Sequence, residues 1–140
     1  MTLRKFEEYG KDSQIKVISA LLTHKEFLIN IYDIINHDDF TNPSHQWIVK
    51  EILKYYNKYH TVPSLEILKV EVKKVENDVL GLAIKMQLRE AFIANTDDLE
   101  YVMEEFSAFC KNQQLKKALL SSVDLLKAGD YDSIKIMIEN

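Results

Sequence analysis

Two prolines and three glycines are all that punctuate this chain of 140 residues, and that scarcity restricts its fold more than any other feature. A sheet protein needs frequent tight reversals, which draw on glycine and proline. A chain so short of both has to build long helices and turn seldom. The expected fold class is therefore all-α, and the length suits one ordinary domain.

The apolar spacing agrees. Asp12 or Ser13 can cap a first helix with the stripe Ile15, Ile18, Leu21 and Leu22. After the polar break 23–25, a second helix carries Phe27, Leu28, Ile31, Ile34 and Ile35. Pro43 is placed for the first turn of a third helix, running to about Tyr59 with Ile48, Ile52, Tyr55, Tyr56 and Tyr59 on its core stripe. Pro63 ends that stretch. Ser64 caps a fourth helix (Leu65, Leu68, Val72, Val75), and Asn77-Asp78 starts a fifth, whose expected core side is Val79, Leu82, Ala83, Met86 and Phe92. Asn95-Thr96-Asp97-Asp98 gathers capping side chains and negative charge before the longest helical stretch, Leu99 to about Lys127.

That last stretch holds two stripes. Leu99, Val102, Met103, Phe106, Phe109 and Cys110 form one; Leu115, Ala118, Leu119, Val123 and Leu126 form the other. The wholly polar Lys111-Asn112-Gln113-Gln114 separates them, and they are out of phase on one regular helix. Either a long helix rotates its buried face there, or the chain reverses into an antiparallel hairpin; the hairpin is the expectation. Ala128-Gly129-Asp130 closes the segment as a glycine C-cap. Asp130 or Asp132 then starts a short helix bearing Ile134, Met137 and Ile138, which ends at Asn140 with nothing beyond to pack on and suggests an excised domain.

Charge and composition exclude several functions. A net charge of −4 does not suit an autonomous nucleic-acid binder, which needs a dense basic face to release counterions. Cys110 is the only cysteine, so no intramolecular disulfide forms, and a reducing cytoplasm is the expected location. No apolar run reaches the length of a membrane span. Gly10, Gly81 and Gly129 lie far apart, and none stands in a Gly-Lys-Ser/Thr phosphate loop, so ATP hydrolysis is not expected of this chain. No catalytic, cofactor-binding or metal residue is expected. His24, His37, His45 and His60 show no metal-ligand pairing at helical spacing. A loop site from His37, Asp38, Asp39 and His45 is conceivable, but helix caps and a packed His45 account for the same residues. Lys50, Lys54 and Lys58, interleaved with Trp47, Tyr55, Tyr56 and Tyr59, could stack single-stranded bases; a core stripe with a solvated lysine face is the better reading.

The segment Asp38-Asp39-Phe40-Thr41-Asn42-Pro43-Ser44-His45-Gln46-Trp47-Ile48 resembles a recurring element of DnaB-type replicative helicase N-terminal domains, an Asp-Phe pair followed by His and an apolar helix. The order of the flanking elements is similar from about Ser13 onward. The turn Tyr59-His60-Thr61-Val62-Pro63-Ser64 departs from the Gly-x-Pro-x-Asp form of cellular members and looks like helicases of tailed phages. The resemblance implies a non-catalytic collar domain of a hexameric helicase that pairs subunits and docks primase or a helicase loader, with DNA met only weakly or through the ring. On that reading residues 1–95 form the head, 96–128 a helical hairpin and 129–140 the beginning of a linker to an ATPase domain, where ATP and Mg would bind. Phe106, Phe109, Leu115 and Leu119, nearest the expected reversal, are the candidate interface. A primase C-terminal helicase-binding domain and a free-standing helical loader or regulator are the competing readings, and an enzyme working through the loop acids is a more distant one.

Overall fold

A computed structural model describes residues 13–94, 96–129 and Ile136. They form six helices: α1 Ser13–Thr23, α2 Lys25–Ile31, α3 Pro43–Tyr59, α4 Leu65–Val72, α5 Asp78–Ile93 and α6 Leu99–Lys127, with a 3-10 turn at His37–Asp39. No strand occurs among the described residues, and the chain is all-α as expected. The expected Asp12 cap, the Asn95 capping position and the short helix with Ile134, Met137 and Ile138 lie outside the described residues.

α1 is the centre of the head. Gln14, Ile15, Val17, Ile18, Ser19, Ala20 and Leu21 are all buried, so this helix is covered round most of its circumference rather than along one stripe. It packs against α2, α3, α5 and α6. Around it, Phe27, Leu28, Phe40, Ile48, Ile52, Leu68, Ile84, Leu88 and Phe106 close one continuous core.

Side chains at the helix starts fix where the outer helices begin. Asn42 accepts from the Ser44 N–H with Pro43 in the first turn, Ser64 from Ile67, and Asn77 from Leu80. α3 stops because His60 adopts φ 56° and ψ 30°, returning its N–H to the Tyr56 carbonyl. Gly129, at φ 78°, donates to the Leu126 carbonyl and ends α6 as expected.

Four expectations are corrected. The hairpin does not form: α6 is one helix through Lys111-Asn112-Gln113-Gln114. Lysine, asparagine and glutamine interrupt hydrophobic patterning without breaking a helix, and no glycine or proline stands there. The second correction concerns α5, whose buried side is Gly81, Ile84, Leu88 and Ala91, while Val79, Leu82, Met86 and Phe92 face solvent. Both sets recur at helical spacing, so periodicity alone does not choose between them. In α2, regular helix ends at Ile31; Ile35 still reaches the core through a turn that donates its N–H to the Ile31 carbonyl. Tyr59, expected on the core stripe of α3, is exposed because the α3 core contacts end about one turn earlier.

Candidate protein-protein interface

α6 divides into two unlike halves. Its buried residues are Leu99, Val102, Phe106, Phe109, Cys110 and Gln113, all in the first half. At about 1.5 Å per residue the helix is roughly 44 Å long, whereas a head of about 100 residues spans some 30–35 Å. The excess corresponds to about the last six to nine residues, and no residue of the helix beyond Gln113 is buried. There Leu115, Leu119, Val123 and Leu126 are 60%, 44%, 48% and 54% exposed. Their spacing of four, four and three puts them on one side of the helix.

The four candidate interface residues therefore part company. Phe106 is fully buried, its ring 5.6 Å from that of Phe40, 6.3 Å from that of Phe27 and 6.0 Å from that of Phe109. Phe109 is 3% exposed. Cover is thickest at these two positions, contrary to expectation, because the unbroken helix lays them against α1 and α2 instead of lifting them toward a hairpin tip. Leu115 and Leu119 are left open. Cys110 is buried 3.9 Å from a carboxylate oxygen of Asp39, and burial first, then that carboxylate, holds its thiol well above the ordinary range. Such a thiol is unreactive.

The Asp-Phe…His element is a clasp in the core. Asp39 is buried and accepts from the Asn36 N–H, while Asn36 accepts from Asp38, forming a capping box. Phe40 fills the centre beside Phe106, and its carbonyl accepts from Gln46 Nε2 at 2.7 Å. His45 Nδ1 lies 3.3 Å from Gln14 Oε1 and its Nε2 lies 2.7 Å from Gln87 Oε1, joining α1, α3 and α5. Burial lowers the His45 pKa from its ordinary value, against smaller raising effects from the Gln87 hydrogen bond and Glu90. Asp98 does not cap α6 with its side chain. It pairs through both carboxylate oxygens with Lys16 of α1 at 2.9 Å, and Lys16 is the main cause of its lowered pKa.

Neither the loop acids nor the lysine face of α3 assembles a reactive centre. Among the described residues no group of three or more His, Cys, Asp or Glu side chains could hold a metal ion. Lys50, Lys54 and Lys58 are exposed, and Lys58 Nζ lies 5.3 Å from the centre of the Tyr59 ring. The groove of about 700 Å³ between α3 and α4 is lined by Lys54, Lys58 and Lys74 but equally by Glu51, Glu66 and Glu71. That balance gives no attraction for a phosphate backbone. Among the described residues no helix is long and apolar enough to cross a membrane.

Residues 11–106 match the family model for the DnaB-like helicase N terminal domain, a span that covers the head and ends at Phe106, before the exposed half of α6. No curated protein and no solved structure matches the chain. With well over half of its length matched, and with the clasp residues that carry the resemblance packed at the centre of the head, the chain belongs to the DnaB-like helicase N-terminal domain family.

Proposed function

We propose that this chain is the collar domain of a hexameric replicative helicase of tailed-phage type, and that the second half of α6 carries its subunit pairing and its docking of primase or loader. One observation carries the reading: the apolar row Leu115, Leu119, Val123 and Leu126 lies exposed on a helix that outruns the head. Exposed apolar rows of this kind are covered in an assembly. A second copy is one occupant: two α6 helices packed antiparallel and crossing near Ser121 lay Leu119 of each against Val123 of the other, so that each row covers its like. ATP and Mg belong to a separate motor domain of the parent protein, so the collar acts by assembly alone, in the bacterial cytoplasm.

The buried Cys110 makes a direct test possible. A thiol introduced by Ser122→Cys, three residues after Leu119 and four before Leu126 and so beside the row, becomes the accessible one. A short bismaleimide should link two chains through it in high yield. A thiol introduced at exposed Lys50 on α3 should not be linked. Equal linking at both positions, or none at Ser122→Cys, refutes the pairing. Loss of primase binding in Leu119→Asp, measured by calorimetry, tests the docking.

A further inference from the structure

A second surface, between α4 and α5, has a different chemistry. α4 and α5 enclose a pocket of about 300 Å³ whose floor is apolar and includes Val72, Leu88 and Phe92. Val72 and Leu88 are core residues, 2% and 3% exposed, whereas Phe92 is 47% exposed. Three cations, Lys69, Lys85 and Arg89, also line it, and no carboxylate does. The neighbouring acids line other clefts: Glu66 and Glu71 the α3–α4 groove, and Asp78 a separate cleft that it shares with Lys85, while Glu90 acts on His45. None of the three cations is held in an ion pair among the described residues.

We propose that this pocket docks an acidic peptide segment through one large apolar anchor, with Lys69, Lys85 and Arg89 pairing the carboxylates that flank it. The volume fits one or two apolar side chains, too little for a whole amphipathic helix. Arg89 offers a planar fork that binds a carboxylate through two parallel hydrogen bonds. Nucleic acid is the other anionic class that could approach such cations. The closed apolar floor favours a peptide, since a phosphate backbone gains nothing from Val72 and Leu88. The exposed Phe92 and the uniform sign of the rim are the features that pairing of α6 helices leaves unused. The inference goes beyond the collar reading and stands on α4 and α5 alone.

The test uses the whole chain and a fluorescein-labelled decapeptide, Gly-Ser-Asp-Glu-Asp-Phe-Leu-Asp-Glu-Ser, followed by fluorescence anisotropy. Binding is expected with a Kd on the order of 10–100 µM, weakening as salt rises. Replacing the peptide's Phe by Ala, or introducing Lys69→Glu with Arg89→Glu, should each weaken it about tenfold or more. Both substituted side chains are exposed, so the variant should keep its helical circular dichroism. Binding of the peptide by the charge-reversed protein as tightly as by the native one would overturn the proposal, as would no binding at about 1 mM peptide. Displacement of the peptide by a thymidine 20-mer at lower concentration than by unlabelled peptide would assign the cations to nucleic acid and equally overturn it.

Discussion

Replacing Phe106 with alanine should unfold this domain far more readily than replacing Leu115, although both are large apolar residues of the same helix. Phe106 is fully buried among the rings of Phe27, Phe40 and Phe109. Truncating a buried phenylalanine costs about 3–5 kcal/mol, made up of lost transfer free energy and the cavity left behind. Edge and offset ring contacts of the kind seen here add about 0.5–1.5 kcal/mol per pair, so the upper part of that range is expected. Set against a total stability of roughly 5–15 kcal/mol, the loss would lower Tm by about 10–20 °C. Leu115 is 60% exposed, and alanine is the better helix former, so Leu115→Ala should change stability by no more than about 0.5 kcal/mol in a dilute monomer. Urea melts followed by far-ultraviolet circular dichroism at low protein concentration measure both. A milder Phe106→Leu keeps the comparison open if Phe106→Ala fails to fold. A loss under about 1 kcal/mol at Phe106, or above about 2 kcal/mol at Leu115, would refute the division of α6 into a core half and an open half.

Other consequences concern the clasp and the helix ends. Because burial depresses the His45 pKa, the fold disfavours the imidazolium. The stabilising contribution is complete above the unfolded value of about 6.5 and is lost as pH falls below it through the folded value. The urea midpoint should therefore drop between about pH 7.5 and 5, and His45→Gln should flatten that part of the profile; a midpoint that rises on acidification contradicts the assignment. Gly81 lies inside α5 with open space where a Cβ would stand, so Gly81→Ala should stabilise by about 0.5–1 kcal/mol in thermal melts. His60→Gly should also stabilise, by roughly 0.5–1 kcal/mol, by relieving a left-handed non-glycine conformation at the end of α3. Cys110 should react with a thiol reagent only on global unfolding; labelling within seconds in native buffer would show that its burial is wrong.

The helix boundaries were legible because local chemistry sets them. Pro43, Ser64 and Asn77 act through their own backbone neighbours, and the observed starts of α3, α4 and α5 follow from them. The role of His45 as a packed residue was legible too, since an isolated histidine among apolar neighbours has few other uses. Which face of a helix is buried was harder, because that depends on partners distant in sequence. α5 offers two apolar stripes, and only contact with α1 and α3 selects Ile84 and Leu88 over Leu82 and Met86. α6 misled for a related reason. Its buried stripe ends at Gln113 because the head ends there, and a stripe that stops for lack of a partner reads in sequence like a stripe that stops for a turn. The α4–α5 pocket left no trace in the sequence, since Lys69, Lys85 and Arg89 look like ordinary solvated charges until the two helices bring them to one rim.

The open half of α6 as a surface between copies is the central claim, and sedimentation equilibrium of the intact chain tests it most directly. The native protein should associate with rising concentration in the range of about 1–100 µM. Leu115→Asp with Leu119→Asp should sediment as a monomer throughout that range while keeping the native circular dichroism and thermal midpoint. A native chain that stays monomeric to the top of the range, or a double variant that associates as the native chain does, would contradict it.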